Sequence, residues 1–198
     1  MNASIILAHP SQDSFNHAIA QTVLECLQKE NFIIYFHDLY KEGFDPVLKS
    51  EEIPKYSIQS KIVENYCSEL VLSDFIFIIH PNWWGQPPAI LKGWIDKVLR
   101  PGIAYEFQEG DNGEGVPIGL LKAKYGIVFN TSNTPESREM SIFGDPLNKL
   151  WKDCIFNFCG VSNFHRKMFG LVVTSTPKQR ADWLEEVKET VNNIIIDK

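Results

Sequence analysis

Five short runs of apolar residues recur along the chain: Ile5 to Ala8, Phe32 to Phe36, Phe75 to Ile79, Tyr125 to Phe129 and Met168 to Val173. Each is continuous, without polar alternation, which is the pattern of a strand covered on both faces, as in a parallel sheet under helices. The segments between them carry apolar residues at helical spacing. Ala18, Ile19, Thr22, Val23, Cys26 and Leu27 form one stripe; Ile58, Ile62, Tyr66 and Leu70 a second; Leu91, Trp94, Ile95 and Val98 a third. A fourth runs through Leu147, Leu150, Trp151, Cys154 and Phe158, and a fifth through Trp183, Leu184, Val187, Val191 and Ile194. Strand then helix, five times over, predicts a doubly wound α/β domain, because right-handed crossovers place helices on both faces of the sheet. The order 2-1-3-4-5 is the common five-stranded solution, and ligands then bind beyond the carboxyl ends of the strands, where the winding reverses between strands 1 and 3.

Composition narrows the partners. The 198 residues are 44% apolar and 22% charged, ordinary globular proportions that exclude disorder and coiled coil. With no repeat or Pro/Gly-rich linker, residues 1–198 read as a single domain. A net charge of -6 gives no drive toward nucleic acid or anionic lipid. The longest apolar runs are far shorter than the roughly 20 residues a bilayer span needs, so no membrane insertion is expected. Cys26, Cys67, Cys154 and Cys159 are scattered, none in a CxxC pair, and no export signal opens the chain, which together point to a reduced, cytoplasmic protein. Cys154 and Cys159 read as small hydrophobes in or beside a helix stripe, and His37, His80 and His165 as structural histidines. No Ser/His/Asp or metal-ligand constellation is legible.

Three loops follow strands at the expected edge. After strand 1 comes His9-Pro10-Ser11-Gln12-Asp13-Ser14-Phe15-Asn16-His17, with Ser14 or Asn16 as N-cap of the first helix. The unpaired N–H groups of that helix start suit an anion, and His9 could add a hydrogen bond or a charge; an exposed, ordinary cap is the alternative. The loop has no glycine, so it is neither a Walker loop nor a GxGxxG turn. Strand 3 leads into His80-Pro81-Asn82-Trp83-Trp84-Gly85-Gln86-Pro87-Pro88. Adjacent tryptophans cannot both face one core, so Trp83 and Trp84 point to a flat apolar cofactor or to a dimer contact. Asn130, Thr131, Ser132 and Asn133 follow strand 4, a small polar cluster able to hydrogen-bond the edge of a heteroaromatic ring.

Leu7-Ala8-His9-Pro10 with Ser14-Phe15-Asn16, Asp38-Leu39-Tyr40, and above all Pro81-Asn82-Trp83-Trp84 with Pro88-Ala89-Ile90-Leu91-Lys92-Gly93-Trp94 resemble the NAD(P)H:quinone oxidoreductase family. Ala104-Tyr105-Glu106-Phe107, Gly144-Asp145 and Phe158-Cys159-Gly160 extend the likeness, which runs from strand 1 to about Gly160. The resemblance implies a flavodoxin-like fold, a bound flavin and NAD(P)H as co-substrate. It implies that His9, Ser14, Phe15 and Asn16 hold the flavin phosphate, that Pro81, Asn82, Trp83 and Trp84 support the ring, and that Asn130 to Asn133 line its pyrimidine edge. It also implies a homodimer in which Tyr105, with Phe107 where the family often has a second tyrosine, covers the partner's substrate site. The Tyr and His that offset charge on the reduced ring in mammalian members fall at Ser137 and Phe143, so that pair is missing, and the backbone N–H of Ser132 or Asn133 is a candidate replacement. The segment from Lys41 to Ile58 could fold over an adenosine, which favours FAD, with FMN left open.

The activity so implied is two-electron, ping-pong reduction of a quinone. NAD(P)H delivers hydride to flavin N5 and leaves, and the quinone takes its place and the hydride; the cofactor carries the chemistry. Azo or nitro reduction on the same scaffold is the nearest alternative. A flavin-binding regulatory subunit of a potassium efflux system is another.

Overall fold

A computed structural model describes residues 1–111 and 114–196. Five strands build the parallel sheet in the order β2-β1-β3-β6-β7: β1 (Asn2–Leu7), β2 (Ile33–Asp38), β3 (Phe75–Pro81), β6 (Tyr125–Thr131) and β7 (Asn163–Phe169). This is the expected 2-1-3-4-5 arrangement, with a separate two-stranded ribbon, β4 (Tyr105–Glu106) with β5 (Ile118–Gly119), inserted after the third helix. Helices α1 (Phe15–Lys29) and α6 (Pro177–Ile196) cover one face, where Ile5, Leu7, Val23, Phe77, Phe129 and Val191 share one buried cluster. On the other face α2 (Lys61–Leu72), α3 (Ala89–Val98) and the stretch from α5 (Pro146–Lys149) onward bury Tyr66, Trp94 and Trp151. The short α4 (Glu136–Ser141) follows β6.

The central strands β1, β3 and β6 are buried almost throughout, as continuous apolar runs should be. The edges differ. Ile33 and Phe36 of β2 are exposed, because an edge strand is covered less completely. The fifth strand is not Met168 to Val173 but Asn163–Phe169, overlapping that run only at its end. Its Phe164, His165, Arg166 and Lys167 are half-buried on the outer edge, which accepts polar side chains, while Val172–Thr174 form a 3-10 turn instead of strand.

Two helix stripes also shift. In α2 the buried positions are Val63, Tyr66, Cys67 and Leu70, whereas Ile58 precedes the helix and both it and Ile62 are exposed. After α5 the chain widens into a π-helix from Leu150 to Asn157, where the turn closes over five residues instead of four. The wider turn brings Trp151, Ile155 and Phe156 inward and leaves Cys154 exposed, against its reading as a buried hydrophobe. Cys159 is buried as expected, and burial pushes its thiol up to about 11. No helix among the described residues is long and apolar enough to cross a membrane.

Candidate functional site

The carboxyl ends of β1, β3 and β6 open into one cavity of about 760 Å³, within the usual range of roughly 300 to 1,000 Å³ for small-molecule sites. Of the residues singled out in the sequence, His9, Ser14, Phe15, Asn16, Pro81, Asn82, Trp83, Trp84, Thr131, Ser132, Asn133 and Phe143 all line it. Three segments far apart in the chain therefore meet at the crevice between β1 and β3, where the winding reverses.

Asn130 is the exception. It is fully buried beneath the floor, its Oδ1 accepting a 2.8 Å hydrogen bond from Arg166 Nε, and Arg166 in turn pairs with Asp145 at 2.6 Å. It braces β6 against β7 and does not reach the cavity. Tyr105 and Phe107 lie elsewhere, stacked edge-on to one another with Tyr105 against Phe158, so a single chain does not bring them to this site. The segment from Lys41 to Ile58 contributes no lining residue either. It is strapped across α3, where Lys97 reaches both Asp45 O and Glu52.

One end of the cavity carries backbone donors without a partner among the described residues. Ser14 is the N-cap of α1, its Oγ accepting from His17 N–H at 3.3 Å, and the N–H groups of Phe15 and Asn16 bond to no described residue. Asn16 is only 2% exposed; its amide nitrogen donates to Thr131 Oγ1 at 2.9 Å, and its Oδ1 is buried without a partner. The assignment of amide N and O follows from the network. Because the Thr131 hydroxyl can also donate, turning the amide would present its NH2 group to a ligand.

The other end is aromatic. Trp83 and Gln86 exchange two 3.0 Å backbone hydrogen bonds around Trp84 and Gly85, whose φ values of 58° and 70° form a tight left-handed turn. Glycine takes that conformation freely; Trp84 tolerates it at the tip, fully exposed. Asn82 holds the turn from below, accepting from Gly85 N–H at 3.0 Å and donating to Glu139 Oε1 at 2.9 Å. Phe143, Val172 and Val173 face it. Glu139 and Pro146 went unnoticed in the sequence because they come from the short helices α4 and α5 after β6, whereas Val172 and Val173 were read as part of the fifth strand.

The suggested stand-in for the missing Tyr and His divides. The N–H of Ser132 is taken by Phe169 O at 2.9 Å, so it cannot serve; that of Asn133 bonds to no described residue. His80 is structural: fully buried, it donates from Nδ1 to Pro81 O at 2.8 Å and accepts from Trp151 Nε1 at 3.0 Å, and burial drops it to about 4. A Ser/His/Asp chain, absent from the sequence reading, is present at the cavity edge: Ser14 Oγ lies 2.9 Å from His17 Nδ1, and His17 Nε2 lies 3.0 Å from Asp38 Oδ2.

Comparison with known proteins agrees with this architecture. A family model described as a flavodoxin-like fold matches residues 1–193. An uncharacterized NAD(P)H oxidoreductase of Haemophilus influenzae is 34% identical over 93% of this chain and 91% of its own. The quinone-type NAD(P)H dehydrogenase 1 of Rattus norvegicus is 28% identical over 97% of this chain and 77% of its own. Among solved structures, an FMN-dependent NADH-azoreductase of Bacillus anthracis in complex with FMN has a TM-score of 0.75 at 17% identity, covering 98% of this chain and 99% of its own. At that identity the likeness establishes the fold alone.

Proposed function

Because the chain belongs to the flavodoxin-like fold family, we propose that it is a flavin-dependent NAD(P)H oxidoreductase that passes two electrons to a quinone and works as a homodimer. The carrying observation is the convergence of three strand-end loops on one cavity, with free N–H donors at one end and an aromatic turn at the other. The names of the Haemophilus and rat relatives support the reductase reading, and the Bacillus structure names FMN as a flavin that this fold can hold.

The residues present fit such a group. Asn16 Oδ1 is a buried polar atom with no partner in the protein, the sort of group that a ligand completes. Ser14, Phe15 and Asn16 would hold a phosphate, and the Trp83–Trp84 turn and Phe143 would flank a flat ring. Asn133 N–H would meet a polar edge of that ring. When bound, a flavin supplies hydride acceptance from NAD(P)H and hydride donation to the acceptor. The chain's own work is positional: the Glu139–Asn82–Gly85 hydrogen bonds fix the aromatic turn that would flank the ring. Tyr105 and Phe107 would close the neighbouring subunit's site.

The test is direct. Purified protein should be yellow, release FAD or FMN on heating as identified by mass, sediment as a dimer, and reduce menadione with NADH or NADPH. A colourless protein that takes up no flavin on reconstitution overturns the proposal. Bound flavin without turnover on quinone, azo or nitro acceptors points to a regulatory role instead.

A further inference from the structure

We propose that Ser14, His17 and Asp38 form a proton-linked anion switch: His17 takes up a proton when a phosphate ester docks at the start of α1, so phosphate-bearing ligands bind more tightly as pH falls. The inference rests on the flavin reading above and specifies how that site recognises the charged end of its ligand.

Hydrogen-bond accounting leads to it. Asp38 is 4% exposed. Burial alone would raise its pKa, but bonds from His17, the Lys41 N–H and Gln12 outweigh that and hold the carboxyl below its usual range. An anionic Asp38 keeps a proton on His17 Nε2, 3.0 Å away. If the imidazole is neutral, Nδ1 has only a lone pair, and the Ser14 hydroxyl must point its hydrogen at it across 2.9 Å. Ser14 then shows the cavity nothing but lone pairs, which repel an anion. If the imidazole is protonated, Nδ1–H donates to Ser14 Oγ and releases the hydroxyl hydrogen toward the cavity. Anion binding and His17 protonation therefore favour one another.

The charge balance points the same way. Among the described residues no Lys or Arg lines the cavity, and the one lining side chain able to become cationic is His9. Burial, and then the charge of His17, lower the pKa of His9. Around His17, Asp38 faces the ring from β2, Ser14 from its own helix cap, and His9 from the preceding loop at 6.4 Å between ring centroids. Glu42 adds negative charge beyond Asp38, although its carboxylate is bonded to His37 and Tyr66. With its amide turned so that Oδ1 accepts from the Thr131 hydroxyl, the buried Asn16 would offer its NH2 group to the same anion.

The measurement uses flavin-free protein and two probes, FAD and riboflavin, titrated by fluorescence between about pH 5.5 and 8.5. The diphosphate of FAD keeps its charge over that range, so any slope in the FAD-to-riboflavin affinity ratio belongs to the protein. The wild-type ratio should climb as pH falls through the titration of His17, by up to about tenfold per pH unit. In His17→Gln and Ser14→Ala the slope should be clearly diminished, the remainder in His17→Gln belonging to His9. NMR titration of the wild-type ring should show the His17 pKa raised by FAD and not by riboflavin, a readout that needs no variant to fold. A flat wild-type ratio, an undiminished slope in His17→Gln, or equal His17 pKa values with both probes overturns the switch. If neither probe binds at any pH, the flavin reading itself falls.

Discussion

The cavity at the strand ends and the crossing of the 41–58 segment over α3 are built from the same kinds of residue and come to opposite ends. At the crossing the buried cation is consumed within the chain: Lys97 pairs with Glu52 at 3.4 Å, while its Nζ also reaches Asp45 O at 3.2 Å. The backbones are jammed together there, since a Cβ on Gly93 would stand 2.2 Å from Pro46 O. In the cavity, by contrast, Asn16 Oδ1 and the N–H groups of Phe15, Asn16 and Asn133 are left over. Single buried atoms without partners also occur in the scaffold, at Trp94 Nε1, Asn130 Nδ2 and His165 Nε2; what sets the cavity apart is that several leftover groups converge on one space.

The sharpest way to break that contrast is Gly93→Ala. Backbone atoms, not a flexible side-chain tip, meet the added methyl, so α3 or the strap must move. We expect a loss of about 3 kcal/mol in urea unfolding, with flavin affinity of the folded fraction unchanged. A variant that unfolds normally would show the crossing to be looser than described.

Asn16→Asp does the reverse. The change is isosteric, and one carboxylate oxygen can still accept from Thr131. The other then faces the anion site with no hydrogen to give. FAD affinity should fall about 100-fold, roughly 2.7 kcal/mol, whereas riboflavin affinity should hold. Equal losses for both, by fluorescence titration, would remove the phosphate from this end of the cavity.

How much of this was legible beforehand follows the same division. The central strands and the three loops after them announced themselves, because buried strands are continuous apolar runs and ligand loops follow their carboxyl ends. The edge strand β7 did not: Phe164 to Lys167 is a mixed segment, and the apolar residues that caught the eye, Val172 and Val173, belong to the cavity wall. The π-helix defeated a 3.6-residue pattern by burying Trp151 and Phe156, five apart, and turning Cys154 out. Asn130 was misplaced because a loop motif does not say which of its residues ends the strand. The Ser14–His17–Asp38 chain was hidden for a different reason: His17 and Asp38 are 21 residues apart, and only parallel pairing of β1 with β2 sets Asp38 beside the start of α1.

A second histidine sharpens the comparison from the scaffold side. His37 sits between Glu42 at 3.1 Å and Glu69 at 2.6 Å on the flank of β2 away from the cavity. Burial lowers its pKa, yet the hydrogen bonds and charges of both carboxylates outweigh it, and the net shift is upward from 6.5. Glu42 is shifted downward from 4.5, burial being outweighed by His37 and Tyr66. A raised His value contributes stability that is full below 6.5 and is lost as pH rises through the folded value; a lowered Glu value contributes above 4.5 and is lost as pH falls through its own. His37→Gln should therefore cost about 1 to 2 kcal/mol near pH 5.5, and the deficit should shrink toward about pH 8. Flavin affinity should not change at either pH. A deficit independent of pH in chemical unfolding would mean that this pairing is not held in solution.

The smallest effect, and the one that separates binding from folding most cleanly, is Trp84→Ala. Trp84 is fully exposed at the tip of its turn, with φ at 58°, so its indole contributes no burial to the fold and its removal should leave Tm within about 2 °C. A ring system of that size left in water beside a cavity has area to offer only to a ligand or to a second subunit. If it caps a bound ring, riboflavin and FAD should each weaken by about tenfold, close to 1.4 kcal/mol, because stacking is blind to the phosphate. If it serves a subunit contact instead, the flavin titrations should be unchanged and the sedimentation of the variant should shift toward monomer. Because the proposed dimer sets its sites beside the subunit contact, losses in both measurements would assign the side chain to both, and one variant with two measurements decides what the exposed tryptophan is for.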